Sequence, residues 1–418
     1  MQHWNRRDFI GAAGGAAALA AHPLRASAQD ANRPVRVGLL TIKTGPLASP
    51  GKQFEDGITV LFDSRKRTIA GRKIELIVAD TAAQPAQALT KARELVERDK
   101  VDVVVGPLAA FEAIAIGDYI RASAVPTIIA AAAEDLTQRK ASPWIMRSSG
   151  SPAQFSYPLA DYAAKTLKLR RIVTIADDLA YGHEALGGFM RVFEENGGKV
   201  VQRLWAPFNS TDYGSYISQI KGDADAVMAG FAGQNAVRFI RQFSEFGLKD
   251  KTRLLSTLTM TDESLLRTMG DEAVGIVSSG PYTATVPTPA NKAMVEQMIK
   301  ATGNVPGYYV SAGYTAGLVI EHALKDLGGK FATRNDLMRA LRAVRMDDDP
   351  RGKVSFDNWG NVVSDQQVFR VAKGPDGKLR NEIVKTYPQV SQFWTYPPKE
   401  FLANPVYSRD YPPARNLG

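Results

Sequence analysis

Two hydrophobic rhythms alternate along this chain. Short apolar runs of strand length are followed by longer stretches whose apolar positions recur every three or four residues, the mark of an amphipathic helix. Val35–Ile42 (VRVGLLTI) reads as a first strand. Gly45–Gly51, rich in turn formers, is a loop, and Gln53–Ser64 a helix with Phe54, Ile58, Leu61 and Phe62 on one face. Lys73–Ala79 is a second strand, after the turn Ile69–Arg72, and Gln84–Asp99 a helix with Ala88, Ala92, Leu95 and Val96 inward. Val101–Val105 is a third strand, stopped by Gly106-Pro107. Phe111–Ser123 is a helix, and Thr127–Ile129, opened by Pro126, a fourth strand running into alanines. The order βαβαβαβ predicts one doubly wound half, because helical crossovers join parallel strands with a right-handed turn.

Ser148–Pro152 interrupts the rhythm, which then restarts. The second half reads as helix Gln154–Leu167, strand Arg171–Ala176, polar loop Asp177–Gly182 and helix His183–Asn196, closed by Gly197-Gly198. Strand Lys199–Trp205, helix Tyr213–Lys221, strand Ala224–Met228, helix Gln234–Phe246 and strand Arg253–Ser256 follow. Gly275–Ser279 with Gly280-Pro281 reads as a second crossing. Three helices come next, Asn291–Thr302, Ser311–Leu327 and Arg334–Ala343, then a hairpin of Gly352–Asp357 and Gln366–Val371, and an aperiodic tail over 388–418. The expected fold is α/β, two doubly wound, mostly parallel sheets side by side. In such sheets ligands bind beyond the carboxyl ends of the strands. In the first half those ends are Gly106–Ala110 and Ala130–Ala133, small residues that let a ligand approach the backbone.

Length supports this division. A chain of 418 residues makes about two domains at roughly 150 residues each. The net charge of +9 is spread along the chain and not interleaved with aromatic residues, which argues against a nucleic-acid face. Residues 1–28 read as an export signal. Asn5–Ile10 is its charged start, Gly11–Ala21 its apolar stretch and Ala26-Ser27-Ala28 a cleavage site. Arg6-Arg7 followed by Asp8-Phe9-Ile10 resembles a twin-arginine signal. No later stretch approaches the ~18 apolar residues of a membrane helix. The expected location is therefore periplasmic. There is no cysteine, hence neither a disulfide nor a lipid-bearing thiol.

Catalytic and cofactor signals are weak. After residue 28 the chain has two histidines, His183 and His322, without ligand-spaced partners. Gly45–Gln53 has one residue too many for a phosphate loop and a glutamine where Ser or Thr would hold magnesium. Tyr309–Gly313 lacks the first glycine of a nucleophile elbow. No G-x-G-x-x-G follows the first strand. Asp177-Asp178 are adjacent in a loop and face different ways. No cofactor or metal is expected, and a hydrolase or lyase using Asp177, Asp178 or Ser311 is the weakest reading.

The order of motifs resembles the periplasmic solute-binding proteins of branched-chain amino acid transporters, the leucine/isoleucine/valine-binding family. The matching pieces include VRVGLLTIKTGPLASPGKQFEDG, AGRKIELIVADTAAQPAQALTKARELVERDKVDVVVGP, VPTIIAAAAEDLT, SPWIMRSSGSPAQ, LAYGHEALGGFMRVFEENGGKVV, DYGSYISQIKGDADAVMAGF, IRQFSEFGL and GKVSFDNWGN. The resemblance implies a type I binding-protein fold, two lobes joined by three crossings and closing by hinge motion. Its ligand would pass to a membrane permease of an ABC transporter; the alternatives are branched-chain amino acid or amide binding, or a ligand sensor of the same fold. It implies an N-lobe of 29–150 plus 281–363, a C-lobe of 151–280 plus 364–390, and a tail of 391–418. A monomer is expected, since one cleft suffices.

Carried over position by position, the family's pocket is altered. Its serine after VVGP is here Ala110, beside Ala109 and Phe111. Its threonine before the ELT-like segment is Ala132, beside Ala131. Its ammonium-holding acid falls in Thr257-Leu258-Thr259-Met260, where no acid stands before Asp262. Its aromatic pair becomes Phe231-Ala232-Gly233, and only its tyrosine persists, as Tyr181. A buried ammonium without a carboxylate costs several kcal/mol, so an α-amino acid is disfavoured. The expected ligand is an apolar carboxylate, an aromatic acid above all. Phe111, Tyr181, Phe231 and Tyr282 would supply aromatic faces, the Ala109–Phe111 helix start would hold the carboxylate, and Thr257, Thr259 and Gln234 would add hydrogen bonds.

Overall fold

The computed structural model describes residues 33–413 and 415–417. The export signal read at 1–28, with its arginine pair and cleavage site, lies outside the described residues. The first sheet comprises β1 (Val35–Thr41), β2 (Thr68–Ile69), β3 (Arg72–Asp80), β4 (Val103–Val105), β5 (Thr127–Ile129) and β6 (Ile145–Arg147), in the order β2-β3-β1-β4-β5-β6. All pairs are parallel except the β2–β3 hairpin. Helices α1 (Ala48–Ser64), α2 (Pro85–Arg93, continued by a π turn at Glu94–Arg98) and α3 (Ala110–Ser123) are the crossovers. The unbroken valine run of β4 follows from burial on both faces. Val103 and Val105 join the core with α1, whereas Val104 joins the one with α2 and α3.

After β6 come α4 (Pro152–Lys165), β7 (Arg171–Asp177), α5 (Ala180–Glu195), β8 (Lys199–Ala206), α6 (Gly214–Ile217), β9 (Ala226–Gly230), α7 (Gln234–Glu245), β10 (Arg253–Thr257), α8 (Glu263–Leu266) and β11 (Val277–Gly280). The strands form a parallel array β8-β7-β9-β10-β11. Helices α9 (Pro289–Thr302), α10 (Tyr308–Asp326) and α11 (Arg334–Ala343) then return to the first half, where α10 shares its core with α1. The chain recrosses as β12 (Met346–Asp349), β13 (Gly352–Phe356), β14 (Val362–Lys373) and β15 (Leu379–Val390), which extend the second sheet antiparallel from β11. A short helix, α12 (Pro398–Leu402), lies in the final segment.

Several expectations are corrected. Helix α1 begins at Ala48, inside the stretch read as a loop. Pro50 falls in the first turn, where its missing N–H would have no partner anyway, and Gly51 lies so close to Ile42 O that a Cβ would sit 1.8 Å from it. Residues 277–280, read as a crossing, are β11. The helix expected over Tyr213–Lys221 contracts to one turn, α6. β6, β12 and β15 escaped notice: β6 and β12 are too short to show alternation, and β15 is interrupted by the charged residues Arg380, Glu382 and Lys385 on a largely open strand. β12 and β13 are hydrogen-bonded into the second sheet, although Met346, Val354 and Phe356 pack in the first core. The tail is more than a surface layer, since Phe393, Phe401 and Tyr407 are buried in the core with α4 and α5.

The crossings meet at one buried guanidinium. Arg147 has no solvent exposure. Its Nε donates to Ala131 O (2.9 Å), and its Nη2 to Ala132 O (3.1 Å) and Ala133 O (2.7 Å). Its Nη1 donates to Asn361 Oδ1 (2.9 Å) and to Thr137 Oγ1. Asn361 Nδ2 donates to Gln154 Oε1 at 2.9 Å, and Gln154 Nε2 to Val362 O (2.9 Å) and Val390 O (2.8 Å). Arg351 Nη1 reaches Ser148 O at 3.0 Å, and Ser279 Oγ donates to Phe155 O. Removing one member of such a buried charged cluster costs about 3 kcal/mol or more. Arg147→Met is therefore expected to lower the unfolding free energy by about 3 kcal/mol. Urea unfolding checks this, and an unchanged midpoint would contradict the role given to Arg147.

Candidate functional site

Between the carboxyl ends of the two parallel arrays lies an elongated cavity of about 130 Å³. The first half supplies Leu108, Ala109, Ala110 and Phe111 from the β4–α3 turn, Ala130 and Ala132 after β5, and Leu47 and Pro50 at the start of α1. Tyr308 and Tyr309 enter from the first turn of α10. The second half supplies Asp177 at the end of β7, Leu179, Ala180 and Tyr181 where α5 begins, and Phe208, Ala232 and Thr259. Gly150, Pro152 and Phe155 close it at the first crossing. Phe155 meets Tyr308 edge-on at 5.7 Å, and Tyr308 meets Tyr309 at 5.2 Å, so the aromatic wall is a packed cluster in the geometry such rings prefer.

Of the residues singled out from sequence, Ala109, Ala110, Phe111, Ala132, Tyr181 and Thr259 line this cavity. The others lie elsewhere, for local reasons. Ala131 is buried outside the cavity lining, at a bend between Ala130 and Ala132, and offers its carbonyl to Arg147. Phe231 likewise lies outside the lining that its neighbour Ala232 joins. Phe231 is fully buried, stacked on Phe239 at 4.6 Å, and acts through its carbonyl, which accepts from Thr259 Oγ1 at 2.6 Å. Thr257 stands one layer back, 3.0 Å from Thr259 Oγ1. Gln234 is exposed on the first turn of α7. Tyr282 is buried in the first core and donates to Asn291 Oδ1 at 2.9 Å.

Sequence reasoning missed Phe155, Phe208, Tyr308, Tyr309 and Asp177. The adjacent tyrosines opening α10 were the available signal. Asp177 corrects a firmer expectation, that no acid faces the ligand. It is 3% exposed, and its Oδ1 accepts from Asn235 Nδ2 at 2.9 Å. Burial pushes its carboxyl up to about 8, against the pull of Asn235 and of the Ala232 N–H. Asp178 does face another way, toward His183 Nε2 (2.8 Å) and Arg409. Tyr181 Oη lies 2.8 Å from Thr259 Oγ1, and burial pushes the phenol up to about 12. Burial raises Tyr308 and Tyr309 likewise, so all three remain neutral O–H groups. Among the described residues no group of three or more His, Asp or Glu is placed to hold a metal.

The two halves also grip one another. Glu184 of α5 accepts from the N–H groups of Ala133 (3.1 Å) and Glu134 (3.0 Å), and Glu134 Oε1 from Ala153 N at 2.8 Å. Burial pushes Glu134 up to about 7 and raises Glu184 well above the usual carboxylate range, with Arg147 opposing both shifts. Across the cleft mouth, Gly233 sits against Pro46. A Cβ there would lie 2.6 Å from Pro46 O, on a backbone with φ of +56°.

Two parallel-dominated sheets, joined at shared crossings with a small cavity between their strand ends, make a type I periplasmic binding fold. A periplasmic binding protein family model matches residues 34–377, and the chain belongs to that family, as a branched-chain amino acid-type solute-binding protein of ABC transporters. The family comprises substrate-binding proteins of transporters, not enzymes. The Leu/Ile/Val-binding protein homolog 6 of Brucella melitensis is 29% identical over 379 residues, 88% of this chain and 95% of that one. An ABC transporter substrate-binding protein from Sphaerobacter thermophilus superposes with a TM-score of 0.82 at 36% identity, covering 86% of this chain and 99% of its own. A solute-binding protein of an ABC transporter from Rhodopseudomonas palustris BisB5, in complex with 3,4-dihydroxybenzoic acid, superposes with a TM-score of 0.81 at 32% identity, covering 86% and 98%. Among the described residues no helix is long and apolar enough to cross a membrane.

Closure generates a prediction. Gly233→Ala adds a methyl group against Pro46 in the closed form and forces a non-glycine residue to positive φ, a strain of about 1–3 kcal/mol. It is expected to weaken ligand binding at least about tenfold. Calorimetric titration checks this, and an unchanged affinity would show that the lobes close without the Pro46–Gly233 contact.

Proposed function

We propose that this extracytoplasmic solute-binding protein is the receptor of an importer for aromatic carboxylic acids. The supporting observation is the composition of the cavity. It has the size of one ring: an engineered apolar cavity of roughly 150 Å³ accepts benzene, and this one measures about 130 Å³. Its walls are alanine, leucine and aromatic rings, with no lysine or arginine among the lining residues. Charge compensation for a carboxylate comes from the backbone. The first turns or caps of α1, α3, α4, α5 and α10 all contribute lining residues. Each helix start carries about half a positive charge, although Asp262 already accepts from Tyr308 N of α10 and Glu134 from Ala153 N of α4. The hydroxyls of Tyr308 and Tyr309 add neutral donors, whereas Tyr181 donates to Thr259, whose own hydrogen goes to Phe231 O. The bound dihydroxybenzoic acid of the Rhodopseudomonas palustris protein supports the ligand class.

A branched-chain amino acid is the second reading, favoured by the name of the Brucella melitensis relative and by Asp177, an acid within reach of an ammonium. The polar surroundings weigh against it. An ammonium presents three N–H donors, and Asp177 already accepts from Asn235 and Ala232. The receptor acts as a monomer, exported under the direction of residues 1–28, and hands its ligand to the membrane permease in the closed form. The lobes so assigned are those named above, with the β12–β13 hairpin shared between them.

A thermal-shift panel of benzoate, 4-hydroxybenzoate, hydrocinnamate and leucine tests the reading. A ligand at 100 times its Kd stabilises the folded form by about 2.7 kcal/mol. A rise in Tm with aromatic acids and none with leucine is expected, whereas a rise with leucine alone would overturn the assignment. Filling the cavity by Ala132→Leu is expected to abolish the shift while leaving the ligand-free Tm within a few degrees.

Binding should also depend on pH. A protonated Asp177 is neutral, whereas its anion repels a carboxylate ligand in the same cavity. Because burial pushes this group up to about 8, affinity is expected to be level below that pH and to fall as pH rises through it. Asp177→Asn should flatten the profile, as calorimetric titration from pH 6 to 9 would show.

A further inference from the structure

Asp177 is the one carboxylate among the cavity's lining residues. Its place is fixed. Asn235 Nδ2 donates to its Oδ1 at 2.9 Å, and Asn235 is itself held by Phe208 O at 2.8 Å. Asn235 is buried, and no lysine or arginine bonds Asp177 to neutralise it. A buried carboxyl without a full set of partners is costly, and here its remaining capacity faces a space that a ligand fills. It stands on β7, in the half of the molecule opposite the α3 start where a ligand carboxylate finds its donors. With the ligand's carboxylate on those donors, the far edge of the ring lies toward Asp177.

The chemistry of that far edge follows. An ammonium would require the ionised acid, and a carbonyl the protonated one. A hydroxyl donates to the first and accepts from the second, so it suits Asp177 in either state. We propose that Asp177 is a specificity-determining residue that pairs with a hydroxyl on the ligand ring, so that the site takes hydroxylated aromatic acids in preference to the unsubstituted acid. This rests on the aromatic-acid reading of the cavity and adds to it the polar group at the ring's outer edge. A site built to pair with a hydroxyl rejects the analogue lacking one, because its own polar group is then left buried and unpaired.

The test is a calorimetric comparison of benzoate, 4-hydroxybenzoate and 3,4-dihydroxybenzoate on the wild-type chain and on Asp177→Ala and Asp177→Asn. At least one hydroxylated acid is expected to bind the wild type about tenfold more tightly than benzoate or better. In D177A the ratio should fall to about one through loss of the hydroxylated ligand. D177N, which still hydrogen-bonds, should keep a preference in the same direction. Equal affinities in the wild type would overturn this proposal while leaving the aromatic-acid reading intact, and the wild-type measurement decides it even if D177A does not fold. A preference that persists undiminished in D177A would remove Asp177 from the role. Binding of leucine with no aromatic acid bound would overturn the underlying reading, and this proposal with it.

Discussion

A single buried cation organises the molecule. Arg147 ends the last strand of the first sheet, yet its hydrogen bonds reach the Ala131–Ala133 carbonyls, Thr137 and the Asn361 passage together. A guanidinium with five donors suits that work, because its fork can hold several carbonyls in one plane. Desolvating it is expensive, and the neighbouring Glu134 and Glu184 offset the cost by charge. The cavity wall depends on this arrangement. Arg147 takes the carbonyls of Ala131, Ala132 and Ala133 and so fixes the bend there, with Ala130 and Ala132 in the cavity lining.

The same network joins hinge to closure. Glu184 comes from the second lobe and takes the N–H groups of Ala133 and Glu134, the next bonds along the strand that Arg147 braces. An opening motion must break these contacts or carry the braced segment with it. The final segment adds a further tie, since Arg139 donates to the carbonyls of Phe401, Asn404 and Pro405.

The cavity shows how a fold can bind an anion without a cation. Helix starts supply partial charge at fixed positions, which costs no side-chain entropy. Small residues at those starts let the ligand approach the backbone, and aromatic rings fill the remaining wall. An acid within such a site is tolerated because burial keeps it near neutrality, and the same burial makes any ligand group that pairs with it count heavily toward selectivity.

The fold was legible in the sequence because its signal is local. Periodicity located the parallel strands other than β6 and β11, with the crossover helices, and the ordered motifs identified the family, since a strand buried on two faces must read as a short apolar run such as Val103–Val105. The small-residue wall at Ala109, Ala110 and Ala132 was legible for the same reason: it follows directly from where those strands end. The rest of the site was decided by tertiary structure. Phe231 and Ala232 differ by one position, and only the packing of Phe231 on Phe239 determines which of them meets the ligand. Tyr308 and Tyr309 lie far along the chain from β4 and arrive through the packing of α10 on α1. Asp177 read as a solvated loop residue because two adjacent aspartates look alike in sequence. The end of β7 turns one into the cavity and leaves the other outside, and that difference sets the charge of the site.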